Sequence, residues 1–156
     1  MVRKRQPGFT LIEMMIVIAV LTIMASIAIP NFMSLLPGMR LNGAARQVMG
    51  DLMAARMKAV KLNQRTKVFF DNNGYQYKIC NDANNDATVD STEGDVKDRN
   101  IQTNYQDVTL SITGYNNPVF QPRGTATIII ITLTNSENAQ KKVKVHLTGR
   151  IKIEDV

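Results

Sequence analysis

Residues 1–30 read MVRKRQPGFTLIEMMIVIAVLTIMASIAIP. Three basic residues and a glycine come first. An apolar run follows from Phe9 to Ile29, broken in its first turn by one charge, Glu13. Twenty-one residues of helix rise about 32 Å, the thickness of a bilayer core. A secretory signal has a shorter apolar core and a small-residue cleavage site, whereas Pro30-Asn31-Phe32 follows here. Arg3, Lys4 and Arg5 precede the run, so the positive-inside bias puts Met1 in the cytoplasm and the chain after Pro30 on the far side. A carboxylate within such a segment is costly, and residues of this kind usually have a partner and a task.

Gly8-Phe9-Thr10-Leu11-Ile12-Glu13 resembles the prepilin processing motif of type IV pilins and type II secretion pseudopilins. The resemblance implies that a prepilin peptidase cuts between Gly8 and Phe9 and methylates the new amino terminus of Phe9. The processed amine and Glu13 then suggest a physical role. When helices stack side by side, the carboxylate can meet the amine of a neighbouring subunit. That pairing offsets the penalty of holding either charge in hydrocarbon. A slipped stack leaves both unpaired, so Glu13 is expected to set assembly register.

The remaining chain is long enough to bury a core of its own. The expected division is a leader at 1–8, a transmembrane helix at 9–29, an amphipathic helix at 30–64 and a β domain at 65–156. Pro37-Gly38 is expected to interrupt or kink the helix. Beyond it, Leu41, Ala45, Val48, Leu52, Ala55, Ala59 and Leu62 recur at alternating intervals of four and three, which is one apolar helical stripe. Arg40, Arg46, Arg56, Lys58 and Lys61 lie mostly off it. A coiled-coil seam is the other reading of this stripe, but its small alanines suit close packing on a sheet and the remaining chain reads as strands.

Six segments read as strands: 66–71, 75–80, 108–113, 125–134, 142–147 and 151–154. Asn72-Asn73-Gly74 marks a hairpin turn. The continuous run Ile128–Ile131 suggests a strand covered on both faces, or an aggregation-prone edge if uncovered. In the last two strands, Val143, Val145 and Leu147 share a face, as do Ile151 and Ile153. A three-residue loop, Thr148-Gly149-Arg150, would pair Leu147 with Ile151 and align those faces. His146 would then oppose Lys152, and Lys144 would oppose Glu154.

The long helix, the β domain, Phe120-Gln121-Pro122-Arg123-Gly124 and the terminal Gly149-Arg150-Ile151-Lys152 resemble the GspH/FimT group of minor pseudopilins and pilins. That resemblance implies an α+β, pilin-like fold, a long N-terminal helix packed on antiparallel sheets. It also implies a single-pass inner-membrane protein with a periplasmic domain, extracted into a pseudopilus or pilus. Its partners would be the peptidase, other pseudopilins or pilins and the membrane.

No catalytic set is visible. His146 alternates with Lys142 and Lys144, away from any carboxylate cluster, and no serine has a nucleophile-elbow context. Two binding constellations remain. Asp82, Asn84, Asp86, Asp90 and Glu93 fall at the ligand spacing of a calcium loop, although Ala87 stands where the sharp turn wants glycine. A solvated Asn-rich turn is the competing reading. Lys144, Arg150 and Lys152, joined by Arg123, Lys141 and Lys142, make a candidate basic patch, with a solvated hairpin face as the competing reading. By resemblance, some pilins of this group bind DNA through Gly-Arg-x-Arg near the C-terminus; here Lys152 takes the last position and lacks the bidentate fork. A formal charge of +6, half of it from the leader, permits nucleic-acid binding without demanding it. The single cysteine, Cys80, reads as a small buried apolar group, with an intermolecular disulfide as the alternative.

Overall fold

The computed structural model describes residues 8–82, 96–113 and 117–156. Helix α1 runs from Leu11 to Leu62. The Thr10 hydroxyl caps its start, accepting the Glu13 backbone N–H at 3.2 Å. At its end Asn63 turns left-handed with φ 51°, and Asn63 and Gln64 donate back to Val60 and Ala59. This is a Schellman-type stop with asparagine in place of the commoner glycine. The helix carries through both Pro30 and Pro37 without a break, so of the interruption or kink expected at Pro37-Gly38 the interruption does not occur. Each proline deletes one ladder donor, and the bonds of the flanking turns hold the helix around it.

The chain divides between Leu36 and Pro37 into two compact units. In the first, the apolar side chains are exposed: Phe9 75%, Leu11 78%, Ile27 72%. By length and composition this part of α1 can cross a membrane. The second unit contains the core. One face of α1 presents Leu41, Ala44, Ala45, Val48, Leu52, Ala55 and Ala59, all buried. Alanine lets the helix axis come close to the sheets. Leu62, expected to end the stripe, is 45% exposed because the helix unwinds at the next residue.

Two four-stranded antiparallel sheets complete this unit. The first has β1 (Thr66–Phe70), β2 (Gln76–Asn81), β3 (Lys97–Asn100) and β5 (Val119–Phe120), in the order β3-β2-β1-β5. The second has β4 (Thr109–Thr113), β6 (Ile129–Thr134), β7 (Gln140–Val145) and β8 (Ile151–Asp155), in the order β4-β6-β7-β8. Val68, Tyr77, Ile79 and Phe120 of the first sheet join Leu110, Ile129, Ile131, Leu133, Val143, Val145 and Ile151 of the second in one core with the helix. Strands β3 and β5 had no sequence signal: Lys97-Asp98-Arg99-Asn100 contains no β-branched or aromatic residue, and β5 is two residues long.

Strand β6 revises one expectation. It lies inside its sheet, between β4 and β7, and its burial alternates. Ile129, Ile131 and Leu133 are buried, Ile130 is half-buried and Ile128 is 59% exposed. The run is therefore neither covered on both faces nor an edge.

The final hairpin shifts by one residue in its loop. Its register pairs Val145 with Ile151, Lys144 with Lys152, Val143 with Ile153 and Lys142 with Glu154. The His146 N–H donates to Arg150 O at 2.9 Å, so the three-residue loop is Leu147-Thr148-Gly149. The last position of such a loop takes a left-handed backbone, and Gly149 supplies it with φ +74°. The apolar faces still align, because moving the loop one residue moves the pairing by two. Leu147 is released and is 64% exposed.

Gly149 is also sterically closed. A Cβ built there would lie 1.9 Å from Gly124 O and 2.8 Å from Arg56 Nε. Gly149→Ala is expected to destabilise the domain by at least ~2 kcal/mol, from left-handed strain plus a backbone clash. Urea unfolding of the variant against the parent measures this; a loss below about 0.5 kcal/mol would contradict the close packing.

Candidate functional site

At the N-terminus, Gly8 and Phe9 precede the helix and are exposed, with open space around Gly8. Glu13 is the third residue of α1, where its charge is favoured by the positive end of the helix dipole. Thr10-Leu11-Ile12-Glu13 also has capping-box spacing, and the Thr10 half of that box is formed. The Glu13 carboxylate has no ion-pair partner among the described residues.

The second unit is pinned to its helix by polar contacts. Asp51 faces inward between Val48 and Leu52. It accepts from the Tyr77 hydroxyl of β2 at 2.7 Å and from Arg99 Nη2 of β3 at 3.1 Å. Burial, reinforced by the Asp51 hydrogen bond and charge, pushes the Tyr77 phenol well above its usual range, so it stays a donor. Arg40 pairs with Asp107 at 3.4 Å. Arg56 reaches the loops of the second sheet, donating from Nε to Gly124 O at 3.0 Å and from Nη2 to Thr148 O at 3.5 Å. None of these contacts was anticipated from the sequence. Asp51 carried a usable signal, since a carboxylate at an inward helical position requires a donor. Arg56 carried none, because its acceptors are backbone oxygens.

The structure distributes the basic patch unevenly. Lys144 is bonded to Glu154, and that hydrogen bond holds the Glu154 carboxyl below its usual range, helped by the charges of Lys144, Lys152 and His146. Lys141 is likewise paired with Asp155. Lys144 and Lys152 sit directly opposite each other, an unfavourable placement that Glu154 relieves from the diagonal. The pairs expected across the hairpin, His146 with Lys152 and Lys144 with Glu154, are therefore not its register pairs. Arg123, Arg150 and Lys152 are exposed. Arg150 adjoins the loop tip rather than forming it.

Of the calcium-spaced set, Asn84, Asp86, Asp90 and Glu93 lie outside the described residues. Asp82 is buried, with Lys67 Nζ 2.7 Å from its Oδ2; the two side chains are 0% and 7% exposed. Among the described residues no group of three or more His, Cys, Asp or Glu side chains converges. Cys80 is buried, with Sγ 4.0 Å from Lys67 O.

Two known families match the chain. The one described as Type II transport protein GspH matches residues 44–149, and the prokaryotic N-terminal methylation motif matches residues 3–29. No curated protein matches the sequence. Among solved structures, the minor pseudopilin EpsH from the Type 2 Secretion System of Vibrio cholerae aligns with a TM-score of 0.57 at 10% identity, over 74% of this chain and 97% of that one. The type IV minor pilin FimU of Pseudomonas aeruginosa aligns with a TM-score of 0.55 at 16% identity, over 73% and 87%. At these identities the shared property is the pilin-like fold, which agrees with the fold expected from the sequence.

Asp51→Ala is expected to cost the second unit about 2–3 kcal/mol, because it strands the Tyr77 hydroxyl and the Arg99 guanidinium. Combining it with Tyr77→Phe should cost less than the sum of the single changes by about 1 kcal/mol. A double-mutant cycle by urea unfolding reads both quantities, and strict additivity would refute the coupling.

Proposed function

Because the chain belongs to the GspH family of type II transport proteins, which matches most of its length, we propose that it is a minor pseudopilin. On this reading it is a structural subunit that helps initiate or cap the pseudopilus of a type II secretion system. The observation that carries it is one chain joining a methylation motif over 3–29 to a GspH domain over 44–149. The peptidase would cut after Gly8 and methylate Phe9. The subunit would sit in the inner membrane through residues 9–29, with Met1 cytoplasmic and the β domain periplasmic, until it is drawn into the filament.

The exposed apolar half of α1 supports this division of labour. Among the described residues its large apolar side chains are exposed, which suits a segment covered first by lipid and then by other helices. Thr10 fixes the first helical turn, so the Phe9 amine and the Glu13 carboxylate would meet a neighbour's charges in defined positions. Glu13 would then act as a register pin between subunits.

A second reading is a FimT-like minor type IV pilin that assists pilus assembly and takes up extracellular DNA. The exposure of Arg123, Arg150 and Lys152 favours it. Against it, Lys144 is already bonded to Glu154, and lysine replaces the second arginine of the group's motif. A gel shift with the soluble domain at low salt separates the readings; no shift ends the DNA reading.

Glu13→Ala is expected to insert and be processed like the parent, with methylated Phe9 at its N-terminus by mass spectrometry. It should enter sheared filaments or cross-linked subunit complexes at a small fraction of parental yield. Normal incorporation would refute the register role.

A further inference from the structure

A shallow hollow of about 340 Å³ lies where α1 ends, lined by Arg56, Met57, Val60, Lys61, Arg123 and Gly124. Its floor is apolar. Met57 is 67% exposed and Val60 52% exposed, on the helix face turned away from the core. Its rim is cationic. Lys61 and Arg123 are exposed and have no hydrogen-bond or ion-pair partner among the described residues. Arg56 is held in place by two backbone oxygens, Gly124 O and Thr148 O, and no acid among the described residues pairs with it. The guanidinium is thus oriented before any ligand arrives, which lowers the entropy lost on binding.

A solvated basic face has no use for an exposed Met57 and Val60. Phosphate groups would satisfy the three cations, yet a phosphodiester backbone has nothing apolar to cover the floor. A protein segment with a large apolar side chain flanked by Asp or Glu satisfies both. Methionine suits such a floor because its unbranched, polarisable side chain adapts to different apolar shapes. We propose that this hollow docks an acidic, apolar-bearing segment of a neighbouring protein subunit; calling the partner a subunit rests on the assembly reading above. The apolar side chain covers Met57 and Val60, and its flanking carboxylates meet Lys61 and Arg123. The rim charges set orientation and encounter rate, while the apolar contact supplies most of the residence time.

The isolated unit Pro37–Val156 contains every buried side chain of the core, so it serves as the test protein. The probe is a blocked tetrapeptide, Asp-Leu-Glu-Asp, titrated while the methyl resonances of Met57 and Val60 are followed by NMR. The controls are the same peptide with serine in place of leucine, and a short DNA duplex. The leucine peptide is expected to shift both methyl resonances saturably, and more weakly as salt is raised. The serine peptide should bind about tenfold more weakly, the loss expected for one buried aliphatic side chain. Arg123→Glu should abolish the shift of both methyls, and Met57→Ser the shift of the Val60 methyl, each leaving thermal melting unchanged. Three results would overturn the proposal: no saturable shift, equal binding of the serine peptide, or stronger perturbation of Met57 and Val60 by DNA than by peptide. The test protein lacks Gly8 to Glu13, so its outcome is independent of processing and of the Glu13 register role.

Discussion

The packing of one alanine-rich helical face on two sheets is the constraint on which the rest of this protein depends. Ala44, Ala45, Ala55 and Ala59 are buried among Val48 and Leu52, and the core residues of both sheets meet that face. Gly43 extends the same logic, since a Cβ there would meet the Tyr105 ring at 2.6–2.9 Å. Close approach increases dispersion contacts, but it also removes the bulk that would otherwise index the helix against the sheets. A smooth face can slide. The polar contacts therefore take on the indexing: Asp51 to Tyr77 and Arg99 on the first sheet, and Arg56 to Gly124 and Thr148 beside the second. Directional bonds to defined partners supply what small apolar side chains do not.

The same helix works against two environments, and its sequence changes character accordingly. Before Leu36 it is apolar on every side and exposed within its own unit. From Leu41 it becomes one-sided, with a buried stripe and an outer face of Arg46, Met53, Met57 and Val60. A helix apolar all round needs lipid or other helices, whereas a one-sided helix needs a single partner surface. The transition coincides with Pro37, at the boundary of the two units. Proline at this point costs one backbone bond and leaves the helix continuous.

Much of this was legible in the sequence, for identifiable reasons. The three-four spacing from Leu41 to Ala59 and the alternation in β7 and β8 report burial directly, because each has one buried face. Gly8-Phe9 with Glu13 names a family because its residue types and spacing are improbable by chance. What could not be read depends on other kinds of information. Strand β3 is made of Lys97, Asp98, Arg99 and Asn100, and it is a strand only because β2 offers it an edge. The last hairpin misled by one residue because apolar pattern fixes parity but not position. Two loops differing by one residue align the same faces, and only the left-handed backbone at Gly149 chooses between them. The Arg56 contacts were invisible because carbonyl acceptors leave no mark in a sequence.

Charge shows the same limit and qualifies what a basic composition means here. Among the described residues, Lys67, Lys78, Arg99, Arg40, Lys141 and Lys144 each lie in an ion pair with an Asp or Glu of the same chain. Those cations contribute little net field to a partner, whatever they add to the formal total. Some of the charge that can still be offered lies near the C-terminal end of α1 and the adjoining loops, at Arg56, Lys61, Arg123 and Arg150, while Arg46, Lys97 and Lys152 are exposed elsewhere. The backbone placing it there is dictated by two glycines, because Gly124 and Gly149 approach too closely for any side chain on Gly149. The turn that settled the hairpin register therefore also decides which surface the positive charge faces. A partner reads that surface as a short cationic rim around Met57 and Val60, not as a uniformly basic protein.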